Sequence, residues 1–228
     1  MLSIIIPTLN AAARLPHCLE ALVQPTIDGL IKEVIVVDGG SNDDSVKIAD
    51  GFGAKILTAP SGRGGQLKAG AEAARGDWFL FLHGDTVLSE GWAEETVKFM
   101  AADWAIAGVF TLAFDKKGLA PWLVARGAMQ RTVFSKSPYG DQGLLISKSV
   151  YEEIGGYKNI PLFEDVDIID RLMHKKGAMA LHIFKSKAVT SAERYERDGY
   201  MRRVLKNAWC LLRYRMGASP EDLARSYR

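Results

Sequence analysis

The chain has 228 residues, 48% of them apolar and 25% charged, and a formal net charge of +2. That composition is ordinary for a globular protein and excludes a disordered chain, a collagen-like repeat and a coiled-coil rod. So small a charge gives no protein-wide basic field to recruit nucleic acid, and the longest uncharged stretch near the middle, residues 104–114, is far short of the roughly 20 apolar residues that cross a bilayer.

The N-terminal Met-Leu-Ser-Ile-Ile-Ile-Pro has no basic region before its isoleucines, so residues 3–7 read as a strand and not as a signal peptide. Residues 12–23 carry Leu15, Leu19 and Leu22 at helical spacing, with Cys18 between them as a reduced core thiol. Cys18 and Cys210 alone make neither a zinc site nor a disulfide scaffold, and a cytoplasmic chain is expected. Glu-Val-Ile-Val-Val-Asp (33–38) is continuously apolar and reads as a strand covered on both faces. A helix over 45–52, a strand over 54–58, a glycine-rich loop over 61–65 and an alanine-rich helix over 66–74 follow. Residues 78–82 form a fourth strand ending at His83-Gly84-Asp85. Alternating strands and helices imply parallel crossovers and a doubly wound α/β sheet. Ligands bind such sheets outside the carboxyl ends of the strands, where Thr8-Leu9-Asn10, Asp38-Gly39-Gly40 and His83-Gly84-Asp85 converge.

The second half is less regular. The pattern predicts strands over 105–114, 143–147 and 178–184, a helical excursion over 119–134, a helix over 163–176 and a long helix over 197–216. In that last helix Met201, Leu205, Ala208 and Leu212 share one face, with Arg202, Arg203, Lys206 and Arg213 off its centre. Residues 185–228 carry a balance of +6, which leaves −4 for the rest. The helix either packs its stripe on the domain with its charges in water, or attaches peripherally to an anionic membrane.

Several residues invite chemistry. Asp38 either caps a turn or accepts hydrogen bonds from a base or ribose, and its strand-end position favours the second role. The Gly62-Arg63-Gly64-Gly65 loop offers backbone amides and a guanidinium to phosphates. Asp85 is an oxygen ligand for a divalent metal on a diphosphate, or a turn residue, and His83 points to the same edge or is structural. Glu164-Asp165 opens a helix, where acids also simply offset the macrodipole. Asp141 and Gln142 make a turn or contact an acceptor.

The series Ile-Ile-Ile-Pro-Thr-Leu-Asn, Val-Ile-Val-Val-Asp-Gly-Gly-Ser, Gly-Arg-Gly-Gly-Gln and Phe-Leu-His-Gly-Asp-Thr resembles the nucleotide-binding half of family 2 glycosyltransferases. Tyr-Gly-Asp-Gln-Gly (139–143), Ile-Gly-Gly-Tyr (154–157) and Phe-Glu-Asp-Val-Asp (163–167) resemble its acceptor half. The segment Gly217-Ala218-Ser219-Pro220 is similar to a bacterial subgroup named radical-SAM/selenodomain-associated transferase 2. The resemblance implies a GT-A-like, Rossmann-related doubly wound mixed sheet with a C-terminal helical extension. It implies one domain over 1–228, with a nucleotide-binding half (1–103), an acceptor-binding half (104–196) and the extension (197–228).

It also implies roles. Pro7, Thr8, Asn10, Asp38, Arg63 and Asp85 would bind the nucleotide, and Asp85 with His83 would hold Mn²⁺ or Mg²⁺. Asp141, Gln142 and Glu164 would meet the acceptor, and Asp165 would be the catalytic base. Three positions depart from the family pattern. Ala11 stands where an acid is common, Gly39 replaces the second acid of Asp-Asp-Gly-Ser, which bears on uracil recognition, and His83 replaces the first acid of the DxD motif. The expected activity is inverting transfer from a nucleoside-diphosphate sugar. A nucleotidyltransferase of related fold and a non-catalytic nucleotide-sugar-binding scaffold are the alternatives. The first lacks its usual glycine-rich signature, because Pro7-Thr8-Leu9-Asn10 follows the first strand.

Overall fold

The computed structural model describes residues 1–227. Its first half runs β1 (Leu2–Thr8), α1 (Leu15–Ile27), β2 (Ile31–Asp38), α2 (Ser45–Gly51), β3 (Lys55–Thr58), α3 (Arg63–Ala73) and β4 (Trp78–Phe81). These four strands are parallel in the order β3-β2-β1-β4. β1 lies between two neighbours and is apolar at successive positions because it feeds two layers. Ile4 and Ile6 pack with Leu15 and Leu22 on one face, while Ile5 packs with Leu67 and Ala71 on the other. Gly70 lets α3 lie on the sheet, since a Cβ there would stand 2.4 Å from Ile5 Cγ2.

The second half contains β5 (Val87–Leu88), α4 (Trp92–Met100), β6 (Ala107–Phe114), α5 (Leu119–Ser135), a 3₁₀ turn Gly140–Gln142, β7 (Leu144–Ser147), α6 (Lys148–Glu153) and α7 (Glu164–Lys176). A 3₁₀ turn Ala178–Ala180, β8 (Leu181–Thr190), α8 (Glu193–Asp198), α9 (Tyr200–Arg215) and α10 (Pro220–Tyr227) complete it. The full sheet is mixed, in the order β3-β2-β1-β4-β7-β6-β8-β5. Thr8 pairs with Asp38 and Ile5 with Phe81, so the polar segments after β1, β2 and β4 leave the sheet along one edge.

Three expectations need correction. The strand expected over 178–184 starts at Leu181 and runs to Thr190, because a 3₁₀ turn occupies its first three positions. The single helix expected over 197–216 is two, broken at Gly199, whose φ of +82° ends α8. The apolar stripe of α9 also faces outward. Arg203 and Cys210 are buried, whereas Met201, Leu205 and Trp209 are at least 60% exposed. Cys210 joins Phe163, Val166 and Leu223 in a small cluster that ties α7 to α9 and α10. No helix among the described residues is long and apolar enough to cross a membrane.

Candidate active site

Three segments meet at the carboxyl edge of the parallel strands. His83-Gly84-Asp85 follows β4, the turn Gly140–Gln142 lies against it, and Glu164-Asp165 opens α7. Gly140 is their common point. Its amide donates to Asp165 Oδ2 at 2.7 Å. A Cβ at Gly140 would stand 2.8 Å from His83 Nε2 and 3.4 Å from Asp165 Oδ2, so any side chain there would displace the His83 ring from its place beside Asp165. Asp165 Oδ1 accepts from the Val166 amide at 2.8 Å, an otherwise orphaned donor of the first helical turn.

Phe163, just before this pair, has φ +64°, a costly conformation for a bulky residue. Its ring stacks on Tyr214 with centroids 4.7 Å apart and is buried beside Cys210 and Leu223. The C-terminal helices therefore hold the turn that presents Glu164 and Asp165.

The cleft has two compartments. A chamber of about 170 Å³ is lined by Asp141, Asp165, Tyr195, Arg203 and Asn207 among others. A groove of about 580 Å³ runs along Pro7, Thr8, Asn10, Arg14 and Gln66. Arg63, His83, Asp85, Glu164 and Arg194 line both, so the compartments are continuous. Asn10 is fixed at the groove by the loop after β2, with its Oδ1 accepting from the Asn42 amide at 2.9 Å.

Three expected contacts turn out differently. Asp38 is absent from the cleft lining. Its Oδ2 accepts from the Gly40 and Ser41 amides, each at 2.9 Å, and its Oδ1 from the Ser41 hydroxyl. Burial opposes its charge, but these bonds outweigh burial and hold the carboxyl below its ordinary range. In place of a nucleotide contact, Asp38 builds the turn that carries Ser41 and Asn42 to Asn10.

Two of the three glycines of the 62–65 loop, Gly64 and Gly65, are spent on packing. A Cβ at Gly64 would stand 2.3 Å from Lys158 O, and one at Gly65 2.7 Å from Asn159 Oδ1. Only Gly62 and Arg63 of that motif line the groove. Gln142 is fully buried. It donates to Phe110 O at 3.0 Å and accepts from Thr132 Oγ1 at 2.7 Å, fastening α5 to β6 out of an acceptor's reach. Glu164 is also buried, in a 3.3 Å ion pair with Arg63 Nη1. That pair ties the start of α3 to the start of α7 and leaves Glu164 in the lining of both compartments.

Charge in the cleft is arranged around burial. Burial, reinforced by Arg63 and Arg194, pushes His83 well below its ordinary value and keeps the imidazole neutral. Burial raises Asp141 to about 6, against Arg131 and with help from Asp165 and Asp85. Burial likewise pushes Glu164 up, because Arg63 offsets it only in part and Asp165 adds repulsion. Asp141 Oδ1 has no hydrogen-bond partner among the described residues.

Among the described residues no group of three or more His, Cys, Asp or Glu side chains is placed to hold a metal ion. A neutral His83 and the nearby Asp85 do not make an all-protein cage. They do suit a divalent cation that completes its shell with substrate phosphates and water.

Sequence reasoning missed Arg194, Tyr195, Arg203 and Asn207, all contributed by α8 and α9. The basic balance of residues 185–228 was the only signal, and it pointed to water or a membrane. Arg203 is instead buried, with Nη1 3.0 Å from Asp198.

A family model described as "Glycosyl transferase family 2" matches residues 3–157. A PGL/p-HBAD biosynthesis glycosyltransferase of Mycobacterium tuberculosis is 39% identical over 97 residues, covering 40% of this chain and 37% of that protein. The glucosyl-3-phosphoglycerate synthase of that species is 30% identical over 95 residues, covering 38% and 29%. The chain thus spans well under half the length of these curated relatives. In fold, the crystal structure of that synthase with Mn²⁺ and UDP-glucose has a TM-score of 0.69 at 20% identity, covering 95% of this chain and 79% of that one. Staphylococcus aureus TarS 1–349 has a TM-score of 0.63 at 16% identity, covering 82% and 60%. These neighbours are GT-A glycosyltransferases, and the likeness shows that fold here. The subgroup expectation rests on the sequence motifs alone.

Proposed function

The chain belongs to glycosyl transferase family 2, and on that premise we propose that its cleft moves a sugar from a nucleoside-diphosphate donor to an acceptor hydroxyl with inversion. The observation that carries this reading is the meeting of His83, Gly140 and Asp165 at the carboxyl edge of the parallel strands, with Asp85 in the same lining. The donor lies along the groove past Pro7, Thr8 and Asn10. Its diphosphate faces Arg63 and Arg194, whose planar guanidinium groups suit paired phosphate oxygens.

The acceptor enters the chamber. Asp165 takes the hydroxyl proton as that oxygen attacks the anomeric carbon, and the bond to the diphosphate breaks with its electrons going to the leaving oxygen. A single displacement from the opposite face inverts the configuration. A divalent cation shared by Asp85, His83 and the diphosphate would neutralise charge on the leaving group. The synthase crystallised with Mn²⁺ and UDP-glucose supports both a nucleotide-sugar donor and a metal. Family membership disfavours the nucleotidyltransferase reading.

Thermal shift against UDP-, GDP- and dTDP-sugars, with Mn²⁺ or with chelator, identifies the donor. A ligand at 100 times its Kd stabilises by about 2.7 kcal/mol. Asp165→Asn is expected to keep that shift and lose about 10²–10⁴-fold in transfer, and near-normal transfer would remove Asp165 as the base. Asp85→Ala is expected to abolish the Mn²⁺-dependent part of donor binding. Equal donor affinity in chelator and Mn²⁺ would remove the metal from the reading. Donor binding by the wild type with neither hydrolysis nor transfer would mean a non-catalytic scaffold.

A further inference from the structure

An apolar groove of about 490 Å³ lies between α5 and α9. Leu123, Val124 and Ala128 form one wall, and Val204, Ala208 and Leu211 the other. From Ala120 to Arg131 it follows α5 for about 16 Å, at 1.5 Å per helical residue. It is not a separate cavity. Tyr139, Asp141, Tyr195 and Asn207 line both this groove and the chamber that holds Asp165.

Gly127 sits inside α5 on the groove wall, and a Cβ there would meet nothing within 4 Å. A mid-helix glycine weakens a helix relative to alanine, and no close packing here requires one. Its effect is to keep the groove wide. The rim outside is apolar and aromatic, with Leu119, Trp122, Leu205 and Trp209 all more than half exposed. Arg126 beside Trp122 and Arg202 beside Met201 are exposed as well. Such a mix of tryptophan, leucine and arginine suits a lipid–water interface.

We propose that the acceptor is a hydroxyl-bearing amphiphile whose hydrocarbon chain lies in the α5–α9 groove while its hydroxyl reaches the chamber beside Asp165. The inference rests on the glycosyl-transfer reading for the role of the hydroxyl, but the groove's preference for a hydrocarbon chain stands apart from it. Continuity of the groove with the catalytic chamber picks this occupant, because a chain seated there has its head at the reacting oxygen's position. A short polar acceptor would leave the groove empty.

The test uses isothermal titration of the full chain with n-decyl and n-butyl β-D-glucoside below micelle-forming concentrations, and with UDP plus Mn²⁺ in parallel. The decyl compound is expected to bind on the order of 100-fold more tightly than the butyl one. Gly127→Leu on one wall and Ala208→Phe on the other are each expected to erase that difference and to leave UDP–Mn²⁺ binding unchanged. Equal affinity for the two glucosides would overturn the proposal. So would a decyl preference that survives both substitutions, or light scattering that finds a dimer with Trp122 and Trp209 shielded from quencher. If no nucleotide binds but the decyl preference persists and is groove-dependent, the transfer reading fails and the groove assignment stands.

Discussion

The acids of the parallel half and those of the cleft meet burial in opposite ways. Glu33 accepts from the Ser3 hydroxyl and from Arg75 N and Nε. Asp38 accepts from Gly40 and Ser41. For both, burial opposes the charge and the bonds win, so both carboxyls sit below their ordinary range. Asp141 and Glu164 have fewer donors, so burial wins and both are pushed up. A carboxylate held by three donors, as Asp38 and Glu33 are, stabilises a turn and has little left for a ligand, whereas Asp165, with one amide on each oxygen, keeps lone pairs free. One left short of donors costs stability and keeps its capacity for substrate or solvent. Local under-satisfaction is thus a sharper pointer to the site here than an acid's place at a strand end.

The largest break in this contrast is a stability profile with opposite signs in the two regions. Asp141 titrates near 6 in the folded chain against an ordinary 3.8. Between these values the unfolded chain has released its proton while the folded chain still holds it, so stability falls as pH rises through that window, by at most about 3 kcal/mol. Asp141→Asn is expected to flatten this fall in urea denaturation at pH 4, 5, 6 and 7.5. An unchanged slope would place Asp141 among the satisfied acids. Asp38 and Glu33 act in reverse, because a depressed carboxyl contributes stability above the unfolded value that is lost as pH falls through the folded one. Asp38→Ala is expected to cost about 1–3 kcal/mol at pH 7, since it strands the turn's amides, and less at pH 3. An equal cost at both pH values would refute the linkage.

A smaller effect separates fold from chemistry within one cleft. Gln66 is buried, and its Nε2 donates to Thr8 O at 2.8 Å and Val37 O at 2.7 Å, bridging the ends of β1 and β2. Gln66→Leu leaves those carbonyls without that donor and is expected to cost about 1–2 kcal/mol. The pH slope assigned to Asp141 should persist in this variant, because the two sites share no partner. A changed slope would mean that the two regions are coupled.

How much of this was legible in the sequence follows the same divide. In the first half, continuous apolar runs such as Ile4-Ile5-Ile6 and turn-forming residues after them gave the strands and the ligand edge, because a doubly covered strand has few other readings. In the second half the signal weakens. Residues 185–190 alternate lysine with small residues and complete β8 on the strength of pairing with β5 and β6, which no local pattern reveals. The stripe on α9 was visible, but periodicity states which residues share a face and not what that face meets, so the sequence left packing on the domain and facing outward both open, and the structure turns the stripe outward. Gln142 looked like a site residue and is a buried strut, and Arg194, which no sequence pattern singled out, lines the cleft. Both errors concern partners distant in sequence.

The smallest prediction asks whether the contrast belongs to regions or to partners. Asp167 lies two residues beyond Asp165 on α7, yet it is bonded as the acids of the first half are. Its Oδ1 accepts from Lys158 Nζ at 2.7 Å and its Oδ2 from Arg171 Nε at 2.9 Å. Burial opposes its charge, and these two cations outweigh it and hold the carboxyl low. Arg171 also donates to Ile154 O and Gly156 O, so it clasps α7 to the loop after α6. Lys158 makes a single contact with a side chain 54% exposed, where an ion pair contributes about 0–1 kcal/mol. Lys158→Ala is therefore expected to cost less than about 1 kcal/mol and to leave Asp167 depressed through Arg171. The carboxyl signal of Asp167 in a pH titration by NMR checks this directly. If that signal rises into the ordinary aspartate range when Lys158 is removed, then Arg171 alone does not satisfy the acid, and the exposed Lys158 is the partner that holds it low.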